Sequence, residues 1–333
     1  MLQLVQPSYV QAGKHCLFSG MKDISNYHGF KTNESDIFFY CQGMRFKYNE
    51  SLKGSQRRFS EKLMLRPGEE YANEFARRLS ATLHIFQCDN SQKTHEIIRS
   101  VLYDKKPVMV LAEPNILNYH PRQVNINIIG DYHCLVIYGI DEEENKYFIG
   151  DNYVVAHDRK ICAHTDWIPI YTICNNIKGL FWLDTFPKTQ DAHKVERSIV
   201  ENINEFLLLE ENQYGITGSR ALDLCMCELP IYANINPEQK ELIIMDFLYW
   251  LNAHFLCIFH YLEEYFSQKS NNDDECLVKE SEKFRKKWGE FSVSLLRKCY
   301  IDDNFEGISQ QGRHLLKEQE DYLKQIMKYL RNE

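Results

Sequence analysis

The chain has 333 residues, 44% of them hydrophobic, 26% charged and 13% aromatic; this composition excludes a globally disordered protein and, at this length, favours two domains. Its 47 acidic against 39 basic residues leave a net charge of −8, which speaks against a nucleic-acid partner, since such proteins carry a basic surface. The opening MLQLVQPSYVQAGKHC has no basic stretch followed by an apolar one, so no signal peptide is expected and the protein is expected to be cytoplasmic.

In chain order, Leu17, Met21, Ile24 and Tyr27 recur at helical spacing from Cys16 to a stop at Gly29, which puts Cys16 at a helix start. A second helix is expected from Asn33-Glu34-Ser35-Asp36 to Cys41, ending near Gly43, and further helices over 69–83 and 91–104. Pro107–Ala112 is a short β-rich run, followed by Cys134–Ile140 and Lys146–Ile149. The polar pentapeptide Asp141-Glu-Glu-Glu-Asn145 between the last two reads as a hairpin turn, making those strands antiparallel neighbours. Further strands are expected at Trp167–Cys174 and Gly179–Leu183.

After Phe186-Pro187-Lys188-Thr189 the texture changes to long amphipathic helices, with Val195, Ile199, Ile203, Phe206 and Leu207 on one stripe. The expected fold class is therefore α+β: residues 1–187 form a first domain with an antiparallel sheet, and residues 188–333 an all-helical second domain. Asn236-Pro237-Glu238-Gln239 opens an apolar helix. Its stretch Ile243–Phe266 is broken by Asp246, Asn252, His254 and His260, and so reads as buried rather than membrane-spanning. Two more helices are expected at about 272–299 and 307–331. The basic groups Arg57/Arg58 and Lys283/Arg285/Lys286/Lys287 read as solvated faces.

Eleven cysteines, an odd number spread over a long chain, argue against a disulfide framework and for reduced thiols. Neither Cys225-x-Cys227 nor His157, Cys162 and His164 recurs at structural-zinc spacing, so no metal and no cofactor is expected. The informative cysteine is Cys16, because a helix N-terminus favours the thiolate, which is the nucleophilic form. It needs an imidazole, and the imidazole needs an acceptor on its far nitrogen. His133 lies immediately before one strand of the expected hairpin and Asp151 immediately after the other, so both fall at one end of the sheet. Cys16 as nucleophile, His133 as base and Asp151 as orienting acid form, in that chain order, the layout of papain-like enzymes. His15 is a rival base ranked below His133, and Gln11 is the candidate side-chain donor to an oxyanion, beside the N–H of Cys16.

His15-Cys16 with its helix, Asn33-Glu34-Ser35, Gln42-Gly-Met-Arg-Phe-Lys-Tyr48, Pro107-Val-Met-Val, Asn115-Ile-Leu-Asn-Tyr119, His133-Cys-Leu-Val-Ile-Tyr-Gly139 and Phe148-Ile-Gly-Asp151 together resemble the N-terminal domain of the butirosin biosynthesis protein H family. The resemblance implies acyl transfer in secondary metabolism. An aminoacyl or acyl unit would pass from the phosphopantetheine thioester of an acyl carrier protein to a small amine acceptor, through a Cys16 acyl-enzyme. A cysteine peptidase, amidase or thioesterase with the same triad is the alternative, and a non-catalytic papain-like binding scaffold the third reading. No membrane partner is expected, and the helical half, 188–333, is expected to cover or extend the active-site face and to supply a homodimer surface, or else to serve as a plain stabilising bundle.

Overall fold

The computed structural model describes residues 2–4, 10–65, 68–113, 116–119, 133–156, 160–186, 192–207, 216–251, 255–269, 272–301 and 305–332. In chain order its elements begin with β1 (Leu2–Leu4), α1 (Cys16–Tyr27), α2 (Glu34–Tyr40), β2 (Phe46–Tyr48), α3 (Phe59–Lys62), β3 (Leu63–Leu65), α4 (Gly68–Leu79) and β4 (Leu83–Gln87). They continue with α5 (Ser91–Tyr103), β5 (Val108–Ala112), β6 (His133–Asp141), β7 (Lys146–Val155), β8 (Ile161–Pro169), α6 (Ile170–Cys174) and β9 (Ile177–Leu183). Helices α7 (Ala192–Leu207), α8 (Gly218–Glu228), α9 (Pro237–Trp250), α10 (Cys257–Ser267), α11 (Asn272–Ile301) and α12 (Glu306–Asn332) complete the chain. The fold is α+β, with antiparallel sheets in the N-terminal part and a helical C-terminal region.

Two compact units divide these elements: Met1–Cys41 with Pro67–Gln190, and Gln42–Arg66 with Asp191–Glu333. Residues 42–66, read above as part of the first domain, group with the helices.

The first unit is built on a seven-stranded antiparallel sheet in the order β4-β9-β5-β6-β7-β8, with β1 also paired to β6. β5 is buried throughout and β6 nearly so, which is why both read as unbroken apolar runs rather than alternating ones. One face packs Val108, Val110, Leu135 and Ile137 against Ile98 and Leu102 of α5 and Ile173 of α6. The opposite face carries α1. Gly20 permits the close approach: a Cβ there would stand 2.4 Å from Met109 Cε and 3.2 Å from Val136 Cγ2.

The hairpin β6–β7 closes at Asp141↔Lys146, where Asp141 Oδ1 accepts the N–H groups of Glu143 and Glu144 at 3.0 and 3.2 Å. Four local expectations change. The helix over 69–83 stops at Leu79, because Ser80 takes φ 56°. Leu83–Gln87 instead forms β4 against β9. Trp167–Cys174 is strand only to Pro169; Ile170–Cys174 is a helix, whose Ile170, Ile173 and Cys174 enter the core under β5 and β6. β7 runs past Gly150 to Val155, so Asp151 lies within the strand, where the register with β8 shifts between Asp151 and Val154. The apolar stretch 243–266 is two helices, α9 and α10, and the Leu256 N–H reaches back five residues to Leu251 O at 2.8 Å, a π-type bond that breaks the regular ladder. Asn252 and His254, two of its polar interruptions, lie outside the described residues, as do Pro187–Thr189 of the expected linker.

In the second unit the hairpin β2–β3 joins α7–α12. Lys62, fully buried, pairs with Glu228 at 2.7 Å. Tyr48 Oη donates to the same carboxylate oxygen at 2.8 Å, and the Asp246 carboxylate accepts the Ser60 N–H at 2.8 Å. Among the described residues no helix is long and apolar enough to cross a membrane.

Candidate active site

Cys16 is the first residue of α1, and its surroundings explain why the helix begins there. His15, extended at φ −152° and ψ 129°, caps the helix by accepting the Leu17 N–H on Nδ1 at 3.2 Å. That engages the imidazole ranked as the rival base. The Glu34 carboxylate, buried at the start of α2, accepts the Lys14 N–H on both oxygens at 3.0 Å and the His15 N–H at 2.8 Å. The chain is thus turned into the helix at Cys16, whose own N–H, as a first-turn group, has no acceptor within the helix.

His133 opens β6 and Asp151 lies in β7, its neighbour. His133 Nε2 stands 2.8 Å from Asp151 Oδ2, the histidine 4% and the aspartate 0% exposed. Cys16 stands near enough to His133 that the charge on each favours the charge on the other. With Nε2 turned to Asp151, Nδ1 is the nitrogen that serves the thiol. Asp151 Oδ1 accepts the Tyr153 N–H at 2.9 Å, and Tyr119 Oη donates to Oδ2 at 3.1 Å.

A second thiol stands beside Cys16. Gly20 of α1 lies over Val136 of β6, and one helical turn back along α1 matches two residues back along the strand in length, about 6 Å each. Cys16 therefore lies over Cys134, close enough for each thiol to shift the other. The neighbouring Cys134 thiol lowers Cys16 well below its usual range; burial opposes this and the His133 charge reinforces it. Cys134 is raised well above the usual thiol range by Cys16 and by burial. Cys16 is the thiolate of the pair, since it alone has both the helix N-terminus and the imidazole. At His133 burial works against the charged ring, but the Asp151 carboxylate and Cys16 overcome it and hold the imidazole well above its ordinary value.

Asn152 joins Asp151 to the segment that leads into Cys16. Its Nδ2 donates to Gln11 O and to Asp23 Oδ2, both at 2.8 Å, and its carbonyl accepts the Gly13 N–H at 2.8 Å. Gln11 is exposed and held through its main chain; among the described residues no hydrogen bond joins its carboxamide to Cys16, His133 or Asp151.

Among the described residues no group of His, Cys, Asp and Glu stands together to hold a metal ion. His157 lies outside them; Cys162 Sγ donates to Val154 O at 3.4 Å, and His164 stacks on Tyr119 at 4.0 Å between ring centroids.

Residues 15–152 match the family model described as butirosin biosynthesis protein H, N-terminal. The family read from the sequence is the one that matches. No curated protein matches the chain. The matched segment contains Cys16, His133 and Asp151 and ends on Asn152. Sequence reasoning missed Cys134 and Asn152, and saw Glu34 and Tyr119 only as pattern residues. A usable signal for Cys134 was its adjacency to His133 at the start of the same strand.

Proposed function

We propose that the chain is a cysteine-dependent acyltransferase of secondary-metabolite biosynthesis, taking an acyl or aminoacyl group from the phosphopantetheine thioester of a carrier protein and passing it to a small amine. The observation that carries this reading is the polarised line from Cys16 through His133 to Asp151, with the His133–Asp151 contact at 2.8 Å. The name of the matching family supports a biosynthetic setting.

The thiolate of Cys16 attacks the thioester carbonyl, and the oxyanion forms next to the Cys16 N–H at the positive end of α1. Collapse breaks the bond to the phosphopantetheine sulfur, which leaves with the proton held by His133, and the acyl group stays on Cys16. The amine then attacks the acyl carbonyl while His133 takes its proton, and Cys16 departs as thiolate. Exchange between two thioesters is close to thermoneutral, so the amide formed in the second half drives the reaction. Gln11 is retained in this proposal as a second oxyanion donor.

Incubation with an acyl thioester on a carrier-protein phosphopantetheine arm should add one acyl mass, read by intact-protein mass spectrometry. Cys16→Ala should abolish the adduct, and His133→Ala should slow its formation on the order of a hundredfold or more. An added amine should discharge the adduct faster than water does. Equal discharge by water makes the protein a hydrolase, and turnover of a confirmed substrate by Cys16→Ala at the wild-type rate ends the covalent reading.

A further inference from the structure

Asp151 Oδ2 faces both His133 Nε2 at 2.8 Å and the Tyr119 hydroxyl, which donates to it at 3.1 Å. We propose that Tyr119 is a positioning residue of the Cys16–His133–Asp151 group, sharing one carboxylate oxygen with His133 so that Asp151 is fixed in place and its pull on the imidazole is moderated. The proposal rests on the catalytic reading of those three residues.

The ring of Tyr119 is held independently of its hydroxyl. It stacks on His164 with centroids 4.0 Å apart and planes 25° apart, and His164 is the register partner of Asp151 across β7 and β8. The strand next to the acid thus carries the platform for the tyrosine. Burial, then the neighbouring Asp151 charge, push the phenol well above its usual range, so it stays a neutral donor at any pH where the site works. A carboxylate oxygen that accepts two hydrogen bonds gives less electron density to each, so Tyr119 makes Asp151 a weaker partner for the His133 proton.

This matters most in the acyl-enzyme. Cys16 is then esterified and no longer offers a thiolate to His133, so the Asp151 carboxylate weighs more heavily on how readily the imidazole takes the amine proton. The other groups facing the site are Cys134 on β6, Glu69 of α4 beside Cys134, His15 beside Cys16, and Asp166 of β8 beside Tyr119. None of these supplies a hydrogen bond to Asp151 Oδ2 among the described contacts.

Tyr119→Phe removes the hydroxyl and keeps the ring on His164. The first measurement is an NMR titration of His133 with Cys16 alkylated, which needs no substrate. The variant should titrate higher than wild type by about half a pH unit or more, the size of one lost hydrogen bond. An unchanged titration overturns the proposal. Incorporating 3-fluorotyrosine at position 119, a more acidic and stronger donor, should move His133 the opposite way; it also serves if Tyr119→Phe does not fold, and no shift there overturns the proposal equally. The second measurement is the pH profile of acyl-enzyme discharge by an amine, whose rise should move to higher pH in Tyr119→Phe by the same interval. A purely structural role would lower the rate without moving the profile. If wild type never forms an acyl-enzyme while the His133 titration still shifts, the positioning role stands and the acyl-transfer reading falls.

Discussion

Two thiols stand close together where α1 meets β6, and their surroundings push them in opposite directions, Cys16 well below the usual thiol range and Cys134 well above it. Cys134 is the largest influence lowering Cys16, ahead of the His133 charge, so removing its thiol has a definite sign. In Cys134→Ala the Cys16 thiol should rise, and the pH midpoint of its alkylation by iodoacetamide should move upward on the order of one pH unit. Peptide mapping across a pH series measures it. A midpoint unchanged from wild type would assign the lowering to His133 and the helix N-terminus alone. Glu34 works at the same scale by a different route, since it binds no reacting atom but takes the two main-chain N–H groups that precede Cys16.

At the scale of an element, α1 is tied to the sheet by polar contacts as well as by the close packing at Gly20. Asp23, fully buried, accepts Asn152 Nδ2 at 2.8 Å and Tyr138 Oη at 3.3 Å, with Lys22 Nζ at 3.4 Å from its other oxygen. Burial outweighs these partners and raises its carboxyl from 3.8 to about 6. The folded chain therefore binds this proton more tightly than the unfolded chain does. The group's contribution to stability is fully present below about pH 4 and is lost as pH rises through 6. Above that, the buried charge costs on the order of 3 kcal/mol, from a rise of roughly two pH units. Asp23→Asn should thus gain stability relative to wild type between pH 4 and pH 8, by an amount of that order, in urea unfolding followed at both pH values. A mutant-minus-wild-type difference independent of pH would show that Asp23 does not titrate as a buried acid.

For the whole molecule, the notable feature is that the second unit is assembled from two separated stretches, Gln42–Arg66 and Asp191–Glu333. Tyr48 and Lys62 depend on Glu228, and Ser60 on Asp246, so the short stretch contains a buried charge whose partner lies far along the chain. A lone buried lysine is strongly destabilising, typically by about 3–5 kcal/mol. A chain truncated after Gln190 keeps β2 and β3 but loses those partners. Hydrogen exchange should then find the amides of Phe46–Tyr48 and Leu63–Leu65 unprotected while those of β6 and β7 stay protected. Retained protection in β2 and β3 would mean that this hairpin does not need the helical unit.

Helix starts and the β6–β7 hairpin were legible in the residues because their causes are local. Asn33 and Asn236 cap the helices that follow them, and five polar residues between two apolar runs close a turn whatever lies elsewhere. The chain order of Cys16, His133 and Asp151, with the hairpin between the last two, was readable for the same reason. Leu83–Gln87 becomes a strand only because β9, almost a hundred residues later, pairs with it, and Ile170–Cys174 becomes a helix because its apolar side finds a place against the core. Glu34, Asn152 and Tyr119 acquire their places at the site through hydrogen bonds spanning 19 to 141 residues, and Cys134 through the packing of α1 on β6. Periodicity and capping report interactions within a few residues, so they specify which elements form and where a nucleophile can stand. The partners that tune it are set by strand pairing and packing, energies that arise only once distant segments meet.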